Sequence, residues 1–348
     1  MVRLSFHGAM ESVGCSSVLV DTGVENIVLD YGTKIQETPP IFPIPIQAKI
    51  DAILLSHSHL DHSGGIPIFR AKKNGCRIFT PNVTKQLSEL LWMDSIKISH
   101  EEDYALPFDK HDVRKTVQDF VNTNFRKPFR LKKSTITLFD AGHIPGSSMP
   151  FVDTVKKTIL YTGDYKIAPT RLMKGADTNL PDVDVLITET TYCDREHPDR
   201  KSQEKELVKI VRSTLANDGV ALISGFAIGR IDELLLVLDH YGIDYPVYVD
   251  GMAKKALTMI NQNRSLLKEP KSLNRVLEKV EYVKDQGIRK GIIKQPCVIL
   301  STSGMLAGGP IVWYISKLFD KQNCSLVLSG FQVEGTPGKT LLETGRYI

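Results

Sequence analysis

Ser56-His57-Ser58-His59-Leu60-Asp61-His62-Ser63-Gly64-Gly65 is the stretch on which the reading of this chain turns. Ile50–Ser56, directly before it, is an apolar segment with the composition of a buried strand. Three histidines and one aspartate therefore fall within six residues, in a turn that leaves a strand. Side chains in such a turn diverge around two adjacent points. His57 and His59 suit one metal ion, and Asp61 with His62 suits a second. Neutral imidazole and carboxylate are the donors that Zn²⁺ takes in catalytic sites. The competing explanation is a chance cluster of surface histidines, but four ligand-type residues at this spacing after a strand rarely arise by accident.

Two metals need further ligands, and these must come from other strand ends. His143 stands just past the strand-like segment Ser134–Asp140, and Asp164 just past Thr158–Thr162. Each has an ordinary reading, His143 as a turn histidine and Asp164 as a turn or helix-cap aspartate. Beside the first cluster, both read as ligands. A carboxylate at Asp164 can bridge two metals, which a neutral imidazole does less readily. Asp30 ends another strand, Asn26–Asp30, and reads as a hydrogen-bond acceptor supporting the ligand loop or a ligating imidazole. Ligands at consecutive strand ends match the way open α/β sheets build their sites.

The rest of the chain bounds this reading. Its 348 residues suggest two domains, because single cores rarely grow past roughly 250–300 residues. Hydrophobic residues make up 42% and charged residues 24%, ordinary values for a globular protein, and the net charge is only +4. Basic residues gather between Lys110 and Lys133, including Arg114, Lys115, Arg126, Lys127, Arg130 and Lys132. Such a stretch can carry a phosphate backbone, although a charge run is more often a solvated surface. Five cysteines, none in a C-x-x-C pair, in a chain too long to need staples fit a reducing cytosol. The N-terminus lacks the apolar region of a signal peptide, and no run approaches the ~20 apolar residues of a membrane span. A soluble, cytoplasmic protein with no membrane contact is expected.

Short strands ending in polar turns fill the first half, with Val183–Thr188 the last of them. Pro39–Pro45 is too rich in proline for regular structure. After Pro198 the pattern changes. A helix is predicted with Leu207, Ile210, Val211 and Leu215 on its apolar face. Strands at Val220–Ser224, Val247–Val249, Val298–Leu300 and Leu326–Leu328 alternate with helical segments such as Ile231–Leu238, which argues for a parallel α/β sheet. The domain boundary is placed near residue 191, giving domains 1–190 and 191–348.

H-x-H-x-D-H followed by a lone His and then a lone Asp resembles the metallo-β-lactamase superfamily, over residues 1 to about 190. The resemblance implies a four-layer αββα sandwich with zinc at one edge. The second half is similar to the β-CASP ribonuclease branch. Ile187–Tyr192 resembles its opening acidic motif, and Arg195–Pro198 a stretch these nucleases often carry. Phe226–Leu235 resembles its Gly-Arg helix start. Thr302–Leu306 and Gly330–Thr336 are similar to two further signatures. The nearest likeness is to archaeal homologues of the endonuclease subunit of the cleavage and polyadenylation specificity factor. The expected fold is thus an α/β metallo-β-lactamase sandwich with an inserted β-CASP α/β domain.

What the resemblance implies for the site is specific. His57, His59, His143 and Asp164 would hold a first zinc, and Asp61, His62 and Asp164 a second, two per complete protein. The carboxylates of catalysis would be Asp61, Asp164 and Glu189, with Glu189 orienting a histidine that donates a proton to the leaving 3′ oxygen. Ser224, Arg230, Ser301, Thr302, Ser303 and Gly304 would contact phosphates, because glycines and hydroxyls before helices make anion sites. Single-stranded RNA, lying between the domains, is the expected partner, and a homodimer stays open. Relatives carry two further histidines beyond this insert, whereas no histidine follows His240 here. The second zinc is therefore expected one ligand short, and the chain is expected to stop at Ile348 before the strands that close the sandwich. A DNA-processing β-CASP nuclease is the alternative. A small-molecule hydrolase of the same fold would lack the second-half motifs, and a non-catalytic scaffold would have lost the ligands that are intact here.

Overall fold

The computed structural model describes residues 1–72 and 75–347; the expected stop at Ile348 lies outside the described residues. The chain forms two compact units, one of Met1–Pro169 and Met173–Thr191, the other of Thr170–Leu172 and Tyr192–Ile348.

The first unit holds two sheets. Strands β1 (Arg3–Gly8), β2 (Ser17–Asp21), β3 (Asn26–Leu29), β4 (Ala52–Leu54), β5 (Arg77–Thr80) and β6 (Phe120–Asn122) lie side by side in that order. The first three are antiparallel, and β3 to β6 run parallel. Between them in the chain come helices α1 (Leu60–Ser63), α2 (Pro67–Ala71), α3 (Asn82–Glu101) and α4 (Lys110–Gln118). The second sheet is β11 (Val185–Ile187), β10 (Thr158–Tyr161), β9 (Ser148–Asp153), β8 (Thr135–Asp140) and β7 (Phe129–Arg130), with only β10 and β11 parallel.

Successive side chains of a strand point to opposite faces. Ala52 and Leu54 accordingly join Val18, Val20, Ile27 and Leu29 in a core shared with the second sheet, against Ile136, Leu138, Val152 and Ile159. Ile53 and Leu55 face the other way, onto Trp92 and Ile96 of α3 and Val113 of α4. Burial on both faces explains why β4 reads as an unbroken apolar run. The outer face of the second sheet, Phe139, Met149 and Leu160, is covered by Tyr165, Ala176, Leu180 and Val183 from an irregular segment. α3 is an element that the sequence reading does not contain; its buried Val83, Leu87, Leu91 and Trp92 lie at helical spacing among many polar residues. The basic stretch is largely solvated surface, with Arg126 paired to Asp177 and Lys132 to Asp51.

The second unit is the expected parallel sheet, in the order β14-β13-β15-β12-β16. In chain order its elements are α5 (Arg200–Ala216), β12 (Val220–Ser224), α6 (Arg230–His240), β13 (Val247–Asp250), α7 (Ala253–Gln262) and α8 (Pro270–Leu277). Then follow β14 (Glu281–Tyr282), α9 (Gln286–Ile292), β15 (Cys297–Ser301), α10 (Pro310–Leu318), β16 (Ser325–Leu328) and α11 (Pro337–Thr344). The buried face of α5 is Glu204, Val208, Val211 and Leu215, so Leu207 and Ile210 sit further out than expected. The rotation has a cause in Glu204, which is drawn inward by ion pairs with Arg171 and Arg200. Among the described residues no helix is long and apolar enough to cross a membrane.

Candidate metal centre

The metal-binding motif is set by the turn after β4 and by α1. His57 follows the strand and is fully buried, His59 is the N-cap of α1, and Asp61 and His62 lie within that helix. A second loop clamps it. Tyr31 N donates to His62 O (2.9 Å), Thr33 N to Leu60 O (2.8 Å), Ser16 N to Asp61 O (2.9 Å) and Gly65 N to Tyr31 O (2.8 Å). This zipper requires glycine at position 32, where a Cβ would lie 1.7 Å from Asp61 O. Trp92 Nε1, donating to Ser63 O at 3.0 Å, holds the same helix from α3.

His143 arrives from the loop after β8, and its main chain is fixed by the Ser147 hydroxyl, 3.1 Å from His143 N. The preceding Gly142 has φ +64°, and a Cβ there would meet the backbone of Gly175 and Ala176 at 2.3 Å. Asp164 follows β10. The fold thus brings together all six expected ligands. His57, His59, His143 and Asp164 place one donor atom each within 4.8 Å of one another, and so do His57, Asp61 and His62. His59 Nδ1 is 3.2 Å from His57 Nε2 and 3.4 Å from His143 Nε2. The second group was expected to contain Asp164; it contains His57 instead, and Asp164 approaches it at His62. Asp164 Oδ1 is 3.2 Å from His62 Nε2, while Oδ2 is 3.9 Å from His57 Nε2 and 3.7 Å from His143 Nε2. The two oxygens of one carboxylate are thus divided between two donor groups.

Asp30 does more than the sequence suggests. Fully buried, it accepts from Ser56 N (2.7 Å), Ser56 Oγ (2.6 Å), Tyr161 Oη (2.8 Å) and His62 Nδ1 (2.7 Å). A carboxylate only accepts, so His62 must carry its proton on Nδ1. The Ser56 hydroxyl likewise gives its one hydrogen to Asp30, and can only accept from His57 Nδ1, 3.0 Å away. One carboxylate therefore sets the orientation of two imidazoles, directly for His62 and through Ser56 for His57. In both, Nε2 is turned to the site. Tyr161 and Ser56 are functional neighbours that the sequence reading missed, although both stand in the segments quoted for Asp164 and His57. Burial raises the Tyr161 phenol well above its usual range, with the Asp30 charge adding to it, so it remains a donor.

The electrostatics are those of a site built for a cation. Burial keeps the His57 ring neutral, well below the ordinary imidazole value, and His62 pushes the same way. His62 is itself buried, but Asp164 and Asp61 outweigh that and raise it well above the usual range. Burial would raise Asp164; instead His62, His57 and His143 hold it well below the carboxylate range. Among the described residues the ion-pair partners of Asp61 and Asp164 are imidazoles, with no Lys or Arg. Imidazole nitrogens and carboxylate oxygens converging with no Lys or Arg paired to them among the described residues fit a divalent ion of the zinc class.

Glu189 lies two residues past β11, which runs parallel to β10, so Glu189 and Asp164 both follow strands that end at the same edge of the sheet. Its Oε2 accepts from Thr191 N at 2.8 Å, and it belongs to neither donor group.

Of the expected phosphate contacts of the second unit, Ser224, Ser301, Thr302 and Gly304 are buried in this structure. Ser224 and Ser301 are fully buried, their hydroxyls directed at Val327 O and Thr302 O, and Thr302 is also buried. Ser224 and Ser301 end β12 and β15, which are inner strands of the sheet, and Thr302 follows β15. Gly304 is buried against Phe226. Two residues keep the expected character. Arg230, half-buried at the start of α6, makes no ion pair among the described residues, and burial with nearby Arg200 lowers its pKa. The Ser303 hydroxyl is buried without a hydrogen-bond partner.

Paired sheets with an imidazole and carboxylate centre at their strand ends in one unit, and an all-parallel α/β sheet in the other, define the class to which known proteins can be compared. The Beta-Casp domain family matches residues 231–341, and the family described as anti-Pycsar protein Apyc1 matches residues 9–195. A probable RNase MJ4 of Methanocaldococcus jannaschii is 36% identical over 99% of this chain and 82% of its own length. RNase aCSPSF2 of Saccharolobus solfataricus is 33% identical over 99% of this chain and 70% of its own. Transcription termination factor FttA of Lokiarchaeum sp. is 35% identical over 98% of this chain and 57% of its own length. A crystal structure of an Enterococcus faecalis protein of unknown function, 16% identical, superposes with a TM-score of 0.57 over 95% of this chain and 88% of its own, and shares the fold. The chain belongs to the β-CASP family of metallo-β-lactamase-fold proteins, in the branch of the archaeal cleavage and polyadenylation factor homologues.

Proposed function

We propose that this chain is a zinc-dependent ribonuclease that hydrolyses phosphodiester bonds of single-stranded RNA. The observation that carries the proposal is Asp164, whose two oxygens face two imidazole groups oriented by Asp30. Two of the relatives are named RNases, which supplies the substrate class. Residues 1–190 would be the metallo-β-lactamase part and residues 191–348 the β-CASP domain.

His57, His59, His143 and Asp164 would hold one zinc, and Asp61, His62 and Asp164 the other. When bound, such a pair supplies a water with a pKa lowered towards ~7 and positive charge facing the phosphate. The chain's own residues set the conditions for that chemistry. Asp30 fixes which nitrogen of His57 and of His62 faces the site. Asp164, held ionised by its histidine neighbours, keeps the two donor groups in register. Glu189 is a positioning carboxylate at the same sheet edge, and Arg230 and Ser303 are the phosphate contacts retained from the sequence reading. Hydrolysis would leave a 5′-phosphate and a 3′-hydroxyl. A cytoplasmic location belongs to the same reading.

The test is cleavage of matched RNA and DNA strands by full-length protein, before and after chelation and with zinc restored. RNA cleavage that chelator abolishes and zinc restores is expected. Cleavage of DNA but not RNA would replace this reading with the DNA-processing one.

A further inference from the structure

Helix α5 carries Lys201, Lys205, Lys209 and Arg212 along one side, at intervals of three or four residues. Four residues of α-helix rise about 6 Å, so these cations form a row of roughly 16 Å. All four are exposed, and among the described residues none has a carboxylate partner. Some helical lysines elsewhere do have acids nearby, as Lys97 has Glu101 and Lys339 has Glu343. The acid that α5 does place on its inner side, Glu204, is buried and taken up by Arg171 and Arg200.

The row borders a groove of about 390 Å³, lined by Lys205, Val208, Lys209, Arg212 and Tyr241. Val208 gives it an apolar floor. Tyr241, at the end of α6, is half-buried and held in place from two sides. Arg212 Nη2 donates to its carbonyl at 2.6 Å, and the Arg171 guanidinium lies over its ring, 5.5 Å from the centroid. An apolar floor, a fixed aromatic ring and a row of unneutralised cations are the parts from which single-strand binding grooves are made. Cations follow the phosphates and the ring accepts a base whatever its identity.

We infer that this groove on α5 is a second contact surface for the RNA strand, one that tracks its backbone without reading sequence. The inference rests on the ribonuclease reading above and adds a place where the strand is held outside the metal centre. Its partner is the RNA itself; a free small anion would not need a row of this length.

The test is the salt dependence of binding by the full chain, measured by fluorescence anisotropy with a labelled oligouridylate in the presence of chelator to stop turnover. Three proteins are compared: the parent, a Lys205→Gln/Lys209→Gln double variant, and a Lys205→Arg/Lys209→Arg double variant. Each phosphate contact on a single strand contributes about 0.7 to the slope of log affinity against log salt, so the Gln variant should lose about 1.4 of that slope and bind more weakly at low salt. The Arg variant should keep the parental slope, because the charge remains. Both should melt with the parent, since the replaced side chains are exposed. A Gln variant with the parental slope would overturn the inference, and the ribonuclease reading would survive if the parent still cleaves RNA. A parent that neither binds nor cleaves RNA would overturn both.

Discussion

Replacing Asp30 with Asn tests how the metal centre is organised. In the native protein Oδ1 accepts Ser56 N, while Oδ2 accepts Ser56 Oγ, Tyr161 Oη and His62 Nδ1. An amide has one oxygen and one NH₂ group. With its oxygen at the Oδ2 position it keeps the three side-chain donors and turns its NH₂ towards Ser56 N. The reverse orientation would oppose three donors, so the first is favoured. The loss is then one hydrogen bond to a charged acceptor and the charge itself, about 1.5–3 kcal/mol of stability. The effect on metal is separate. Partners that orient a ligating histidine are worth roughly 10–100-fold in metal affinity, or about 1.4–2.7 kcal/mol. Zinc affinity by competition with a chromophoric chelator, and urea unfolding of the metal-free protein, read the two quantities independently. Asp30→Asn should lower both. A folded variant with the parent's zinc affinity would refute the claim that the Asp30 charge strengthens His57 and His62 as ligands.

Other substitutions test other parts of the account. His59→Ala removes a half-exposed ligand that contributes nothing to either sheet core, so zinc content should fall while the metal-free protein keeps its unfolding midpoint to within roughly 0.5 kcal/mol. Gly32→Ala places a methyl group 1.7 Å from Asp61 O, and should cost about 1–3 kcal/mol in urea unfolding and weaken zinc binding, because the zipper under α1 must open. Asp232, fully buried in α6, has its carboxyl pushed up from 3.8 to about 7 by burial. Because that value lies above the unfolded one, the folded state holds an extra proton across this window. Stability should therefore fall as pH rises from about 4 to about 7 and level off above, by an amount on the order of 4 kcal/mol. Asp232→Asn should flatten that slope in pH-dependent unfolding, and an unchanged slope would show that another group carries it.

The legible parts of the sequence were those whose chemistry is local. Four ligand-type residues lie in one short stretch after β4, and His143 and Asp164 each follow a strand with a clear apolar run, so a single chain pass picks out the residues that the fold brings together. The parallel sheet of the second unit was legible because β12 and β15 are fully buried apolar strands and β16 is a further apolar run, all separated by helices. Long-range placement was not legible. Tyr161 reaches Asp30 across 131 residues of chain, and nothing in the sequence marks a strand tyrosine as a donor to it. The burial of Ser224 and Ser301 was not legible either, because it follows from their register pairing across β12 and β15. The inward turn of α5 escaped because a glutamate at an apolar position signals exposure unless its arginine partners, one of them from Thr170–Leu172, are known.

The central claim is that one carboxylate, Asp164, joins two metal-binding groups. Anomalous X-ray scattering at the zinc edge, from crystals of protein loaded with zinc, tests it most directly. The account predicts two peaks about 3.5–4 Å apart, one beside His57, His59 and His143, the other beside Asp61 and His62, with Asp164 between them. A single peak distant from Asp164, or no peak in zinc-saturated protein, would contradict it.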